Sequence, residues 1–138
     1  MAPARHYSEL IAWKLAEEFS GEAQRLVEAS PMASRNFRYR DQLLDAASDV
    51  PKDIAEGFVR YSAATFILFL DYALASLVEG ELRLKDGIRR GYFLPAECEG
   101  ALRLARRCLT ATVRLKKSQE RYLRRHRRRR RPTGVKGS

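Results

Sequence analysis

Arginine and lysine are the residues of this chain whose number and spacing could do chemistry. Arg103, Arg107, Arg114, Lys117, Arg121, Arg124 and Arg128 follow one another at steps of 4, 7, 3, 4, 3 and 4. On a helix those steps put all of them on one side. Thr110 interrupts the series, and the stripe then runs into Arg124, Arg125, His126, Arg127, Arg128, Arg129, Arg130 and Arg131. Cations in a row neutralise phosphates and release their counterions, so such a stripe can follow a nucleic-acid backbone, RNA or DNA. No base-reading motif accompanies it, so nothing here specifies a sequence. A charged helix face is ordinarily only the solvated side. Here few acids compensate it. Residues 1–94 hold 12 Lys and Arg against 14 Asp and Glu, and residues 95–138 hold 15 against 3. A near-neutral body with a basic final third points to a polyanionic partner.

Other chemistries find little support. His6 and His126 stand at opposite ends of the chain, and neither belongs to the Glu-x-x-His motif of a di-iron helical site. Glu56, Glu79 and Glu81 could invite acid–base catalysis, but Arg60 four residues after Glu56 is the favourable order for a helical ion pair. There is no nucleophile–histidine–carboxylate set and no glycine-rich phosphate loop. Cys98 and Cys108 are ten residues apart in one helical pattern, about 15 Å along the axis. They cannot bridge within that helix and have no zinc spacing, which suits two thiols in a reducing cytoplasm. The expectation is a protein without catalytic activity, metal or cofactor.

The elements that must position the stripe are helical. Residues 1–6 read as a short lead, with Ser8 a candidate cap. A first helix over 9–29 places Leu10, Trp13, Ala16, Phe19, Ala23 and Leu26 on one face. The stretch 30–34, with Pro31, reads as a loop. A second helix over 36–57, capped by Ser34 or Asn36, has Phe37, Leu43, Leu44, Ala47, Val50 and Ile54 on its apolar side. Pro51 lies inside it and predicts a bend near 47–51. Gly57 is the expected stop.

Ser62 is positioned to cap a third helix over 63–90. Its apolar residues, Phe66, Phe69, Leu70, Ala73, Leu77, Leu84 and Ile88, are widened by Ile67, Leu68, Leu74 and Val78. A helix apolar on more than one side needs neighbours on several sides, and that predicts a homo-oligomer. Its longest apolar stretch, 63–78, is short for a membrane span and contains Asp71, so a buried helix and no membrane are expected. Residues 1–5 lack the charged start and apolar run of a secretion signal, consistent with a cytoplasmic protein. Gly91 ends the third helix and Pro95 opens a fourth over 95–125. Ala101, Leu102, Ala105, Cys108, Leu109, Thr112, Leu115 and Tyr122 form its inner face. Residues 126–138 read as a flexible basic tail. No segment alternates with period two. The predicted architecture is therefore all-α: an up-down-up-down four-helix bundle over 1–125, its second helix kinked at Pro51.

The middle of the chain resembles the four-helix-bundle family that includes the 23S rRNA intervening-sequence proteins. The likeness rests on Gln42-Leu43, Ala46-Ala47-Ser48, Val50-Pro51 and Ile54-Ala55-Glu56-Gly57-Phe58. It continues through Arg60, Ser62, Phe66, Phe69-Leu70, Ala73, Ser76-Leu77, Glu79, Glu81 and Gly91-Tyr92-Phe93. The Leu10–Trp13–Ala16 opening is similar too, so the resemblance covers about residues 7–123. It implies a small bacterial bundle, often a homopentamer, with no known catalytic activity. Related bundles serve diversity-generating retroelements as accessory proteins that bind the reverse transcriptase and nucleic acid. Three features depart from the family pattern: Asp53 where an asparagine is usual, Thr65 where a glutamate is usual, and the arginine-rich end.

Overall fold

The computed structural model describes residues 3–130, with side chains through Arg127. The chain is all-helical, and no strand occurs among the described residues. A 3-10 turn at Tyr7–Glu9 precedes five helices: α1 Ile11–Ala29, α2 Pro31–Arg35, α3 Phe37–Phe58, α4 Ala63–Arg89 and α5 Pro95–Arg130. The four long helices close a ring of contacts, in which α1 packs on α3 and α5 and α4 packs on the same two.

Local sequence explains most of the boundaries. Asn36 Oδ1 accepts from Tyr39 N at 3.1 Å and opens α3, and Ser62 Oγ accepts from Thr65 N at 3.3 Å and opens α4. Gly91, at φ +79°, carries the chain out of α4, and Pro95 takes the first turn of α5. Three expectations fail here. Ser8 caps no helix; it lies in the 3-10 turn, and α1 starts after Leu10 without a side-chain cap. Residues 31–35 are not loop but a short helix, because Ser30 Oγ accepts from Ala33 N at 3.2 Å and Pro31 suits the first turn. Gly57 does not end α3 through a left-handed backbone. It is buried inside the helix, where a Cβ would lie 2.6 Å from Phe69 Cβ, so α3 and α4 meet there at backbone distance. The left-handed residue of that connection is Tyr61, at φ 57°.

The core is one cluster running from Ala12 to Cys108, with Phe19, Leu43, Ile54, Leu70, Leu77 and Leu84 among its fully buried side chains. The Phe19 ring crosses from α1 to α4 and stops 3.1 Å from where Gly80 would carry a Cβ. Pro51 is buried within α3, which stays helical on both sides of it. At one end of the body Tyr39 replaces the expected Phe37 as the anchor. Phe37 is 65% exposed, with the Arg40 guanidinium 4.7 Å from its ring centre. Tyr39 is buried, donates its hydroxyl to Arg83 O at 2.6 Å, and packs edge-on against Tyr92 at 4.9 Å. Burial pushes its ionisation above the ordinary tyrosine range. Ser30 Oγ donates to Tyr92 O at 2.8 Å and Asn36 Nδ2 donates to Tyr92 Oη at 2.8 Å, so the α2 corner is tied to the α4–α5 turn.

The body leaves one side of α4 uncovered. Leu68, Tyr72, Val78 and Leu82 are exposed large hydrophobics. Ala64 and Ala75 are exposed on the same side. The helix has 27 residues and an 18-residue window of mean hydropathy 1.5, long and apolar enough to cross a membrane, yet only 28% of that window is buried. The expected buried helix is thus buried along one stripe only, the one formed by Phe66, Leu70, Ala73, Leu77 and Leu84.

Candidate nucleic-acid interface

The basic residues reach the surface because they occupy the side of α5 opposite its core-facing residues, and because α5 outruns the helices it packs on. Its 36 residues span about 54 Å, against about 28 Å for the 19 residues of α1. Ala101, Ala105, Cys108 and Thr112 face the core. The Thr112 hydroxyl donates back to Cys108 O at 2.7 Å, and burial pushes both thiols up to about 11. Beyond Thr112 no described side chain of α5 is fully buried. The helix does not end near residue 125; it continues to Arg130, so Arg128, Arg129 and Arg130 stand on helical backbone rather than in a frayed tail. Arg131 and residues 132–138 lie outside the described residues.

Arg103, Arg107, Arg114, Lys117, Arg121, Arg124 and Arg125 are all exposed, and at 100° per residue they fall within an arc of about 100°. Arg106 belongs to the same arc and was not picked out from the sequence; its signal is the three-residue step from Arg103. Arg127 is exposed but points well away from the arc. None of these cations forms an ion pair among the described residues. Lys116, off the arc, differs: it pairs with Asp71 of α4 at 2.6 Å, which raises its ionisation. Arg60 does not pair with Glu56, because α3 ends at Phe58; its guanidinium lies 5.3 Å from the Phe69 ring centre instead.

Part of the arc borders a groove. Arg103, Arg106, Arg107 and Arg114 line the α5 side of an opening of about 440 Å³ that also takes in Leu15, Ala111 and the exposed Ile11. Farther along the same α1–α5 seam a groove of about 570 Å³ is lined by Glu18, Glu22, Glu28, Arg25 and Leu104. The seam is thus split in charge, and a polyanion is attracted to the arginine end and repelled by the glutamate end. Among the described residues no group of His, Cys, Asp and Glu is assembled to hold a metal ion.

A solved structure from Bacteroides thetaiotaomicron, described as a protein of unknown function from the S23 ribosomal protein family, superposes with a TM-score of 0.69 at 22% identity. The match covers 78% of this chain and 99% of that one, and at that identity it speaks to the fold. No curated protein sequence matches the chain significantly. The model of the 23S rRNA-intervening sequence proteins matches residues 8–113, from the 3-10 turn into the basic groove and short of Arg114. The chain therefore belongs to the 23S rRNA-intervening sequence protein family.

Proposed function

We propose that this protein is a non-catalytic, cytoplasmic, homo-oligomeric nucleic-acid-binding protein, with RNA as its ligand. The observation that carries the reading is the arc of exposed cations on α5, which extends from Arg103 to Arg125 and lacks ionic partners among the described residues. Charges already paired within the protein have little left for a phosphate; these have none to give up. The four long helices with their short connections are read as an up-down-up-down bundle, bent in α3 at Pro51, where the ring removes one backbone hydrogen bond. The uncovered side of α4 supports self-association, and the family resemblance supports five copies. A ring would repeat the arc in every subunit and raise avidity without a new contact. A nucleic-acid binding titration at low and moderate salt tests the reading: affinity falls steeply as salt rises, and an affinity indifferent to salt overturns it. Sedimentation tests the assembly, and a monomer at micromolar concentration overturns that part.

A second reading is favoured by the apolar lining beside Arg103, Arg106, Arg107 and Arg114. Phosphates need no such lining; a protein segment does. In this reading the bundle is a scaffold subunit of a retroelement reverse transcriptase, and the rest of the arc guides its template RNA. A neighbouring reverse-transcriptase coding sequence with a variable repeat supports it, and a ribosomal RNA operon supports the first.

A further inference from the structure

The core-facing side of α5 does not stop where the core stops. Its register passes through Leu115 and Gln119 to Tyr122 and His126, beyond the last fully buried residue. There the residue type changes from aliphatic to aromatic and polar. Tyr122 is 51% exposed. Its ring stacks on His126 with centroids 4.2 Å apart and planes 28° apart, and the two side chains are joined by a 3.1 Å hydrogen bond between Tyr122 Oη and His126 Nε2. The stack is pre-formed, and one member already has half its surface free.

Across an opening of about 570 Å³ stands Tyr61. This residue is 98% exposed and holds a left-handed backbone at φ 57°, a conformation a tyrosine enters only against steric resistance. An aromatic ring held out in water on a strained backbone contributes nothing to the core, and such strain gathers at functional positions. The same opening is lined by Arg5, His6, Gln119 and Tyr122, with no carboxylate among the described lining residues. Its volume falls within the roughly 300–1,000 Å³ typical of small-molecule sites. On α5, Arg125 is exposed one turn beyond Tyr122 and about 60° around the helix from it, where the cationic arc begins.

Exposed aromatic faces beside an unpaired cationic track are what single-stranded nucleic acid requires: the track follows the backbone and the rings take bases. A duplex offers no free base to such rings. We infer that the end of the body at Tyr61, Tyr122 and His126 is a stacking platform for unpaired bases, and that the ligand on the α5 arc is single-stranded. The inference rests on the nucleic-acid reading above and adds the class of strand.

Anisotropy titrations of a labelled 20-nucleotide oligouridine and of a 20-base-pair RNA duplex test it, each at two salt concentrations, with helicity checked by circular dichroism. The variants are Tyr61→Ala with Tyr122→Ala, and Tyr122→Phe. The double variant is expected to lose roughly 10-fold or more in single-strand affinity, with the salt slope and the duplex affinity unchanged, since stacking is neutral. Tyr122→Phe keeps the ring and retains wild-type affinity. Unchanged oligouridine binding by the folded double variant overturns the platform, as does an equal loss on the duplex. Displacement of oligouridine by polyglutamate as readily as by unlabelled oligouridine also overturns it, because the site would then be reading charge alone. Wild-type protein that binds neither nucleic acid overturns the underlying nucleic-acid reading, a result distinct from the other three.

Discussion

Reversing four charges of the α5 arc gives the sharpest measure of what the arc does. Arg107, Arg114, Lys117 and Arg121 are exposed, lie within the arc, and have no ionic partner among the described residues. Their replacement by Glu should leave the core intact, because Ala101, Ala105, Cys108 and Thr112 face the other way. Each phosphate neutralised on a single strand contributes about 0.7 to the slope of log affinity against log salt. An arc of eight engaged cations loses on the order of 10³-fold in affinity between about 50 and 200 mM salt, and an arc of four roughly 50-fold. The quadruple variant is therefore expected to lower the slope by about 3 and to weaken binding most at low salt. Deleting residues 127–138 removes six formal positive charges and is the control. Of those six charges only Arg128 continues the stripe set by the sequence spacing, so the deletion should cost less per charge than the reversal. The assay is a set of titrations at several salt concentrations, with circular dichroism confirming helicity. If the folded quadruple variant binds like wild type while the deletion abolishes binding, the arc is only a solvated face and the reasoning fails.

Three further outcomes follow from the core. Gly87→Ala should destabilise by roughly 1–3 kcal/mol in urea unfolding, because its methyl would lie 2.6 Å from Phe93 Cε2 and overlap the Tyr39 hydroxyl; a variant as stable as wild type would show that this corner yields. Asp53 has its carboxyl pushed above the ordinary 3.8, first by desolvation and then by Asp49. The folded state consequently binds that proton more tightly than the unfolded one, so stability falls as pH rises from 3.8 through the folded pKa and stays lowered above it. Asp53→Asn should gain up to about 0.5 kcal/mol at neutral pH, small because the group is largely solvated, and the gain should vanish in melts below pH 3.8. Cys98 and Cys108, buried with ionisation pushed up to about 11, should resist a thiol-reactive dye at pH 7.5 and both react in denaturant; rapid labelling of the folded protein would contradict their burial.

Signals that act within one turn of chain were legible in the sequence. Asn36, Ser62, Gly91 and Pro95 work on backbone groups two or three residues away, and the structure uses each as expected. Signals that depend on a distant partner were not. Gly57 looked like a helix stop because glycine ends helices, but its use is set by Phe66 and Phe69 on the next helix. Tyr39 anchors α3 in place of Phe37 because Tyr92, far along the chain, lies beside it. The short helix α2 escaped notice for another reason: five residues are too few to show a period, although Ser30 and Pro31 were both visible. Tyr122 was assigned to the inner face because periodicity persists along α5; periodicity cannot report that the helices beneath have run out.

Helix α4 shows why a hydrophobic pattern constrains a fold more tightly than an assembly. Periodicity identifies Phe66, Leu70, Ala73, Leu77 and Leu84 as one stripe, and α3 and α5 cover that stripe. The sequence widens that stripe with Ile67, Leu68, Leu74 and Val78; in the structure Leu68, Tyr72, Val78 and Leu82 form a second stripe about half a turn away, left exposed among the described residues. The inner stripe is wholly apolar, whereas the outer one also carries Asp71 and Glu79. Asp71 breaks the outer stripe and is held by Lys116 of α5, so it enters any contact with its charge already paired. A second copy placed on the outer stripe would thus bury apolar surface beside an Asp71 paired with Lys116 and a Glu79 that reaches Arg83 at 4.0 Å on its own helix. Such a contact leaves the arc of α5 on a different helix and open to the proposed ligand. The proposed self-association through α4 and the proposed nucleic-acid binding through α5 are therefore compatible in one particle.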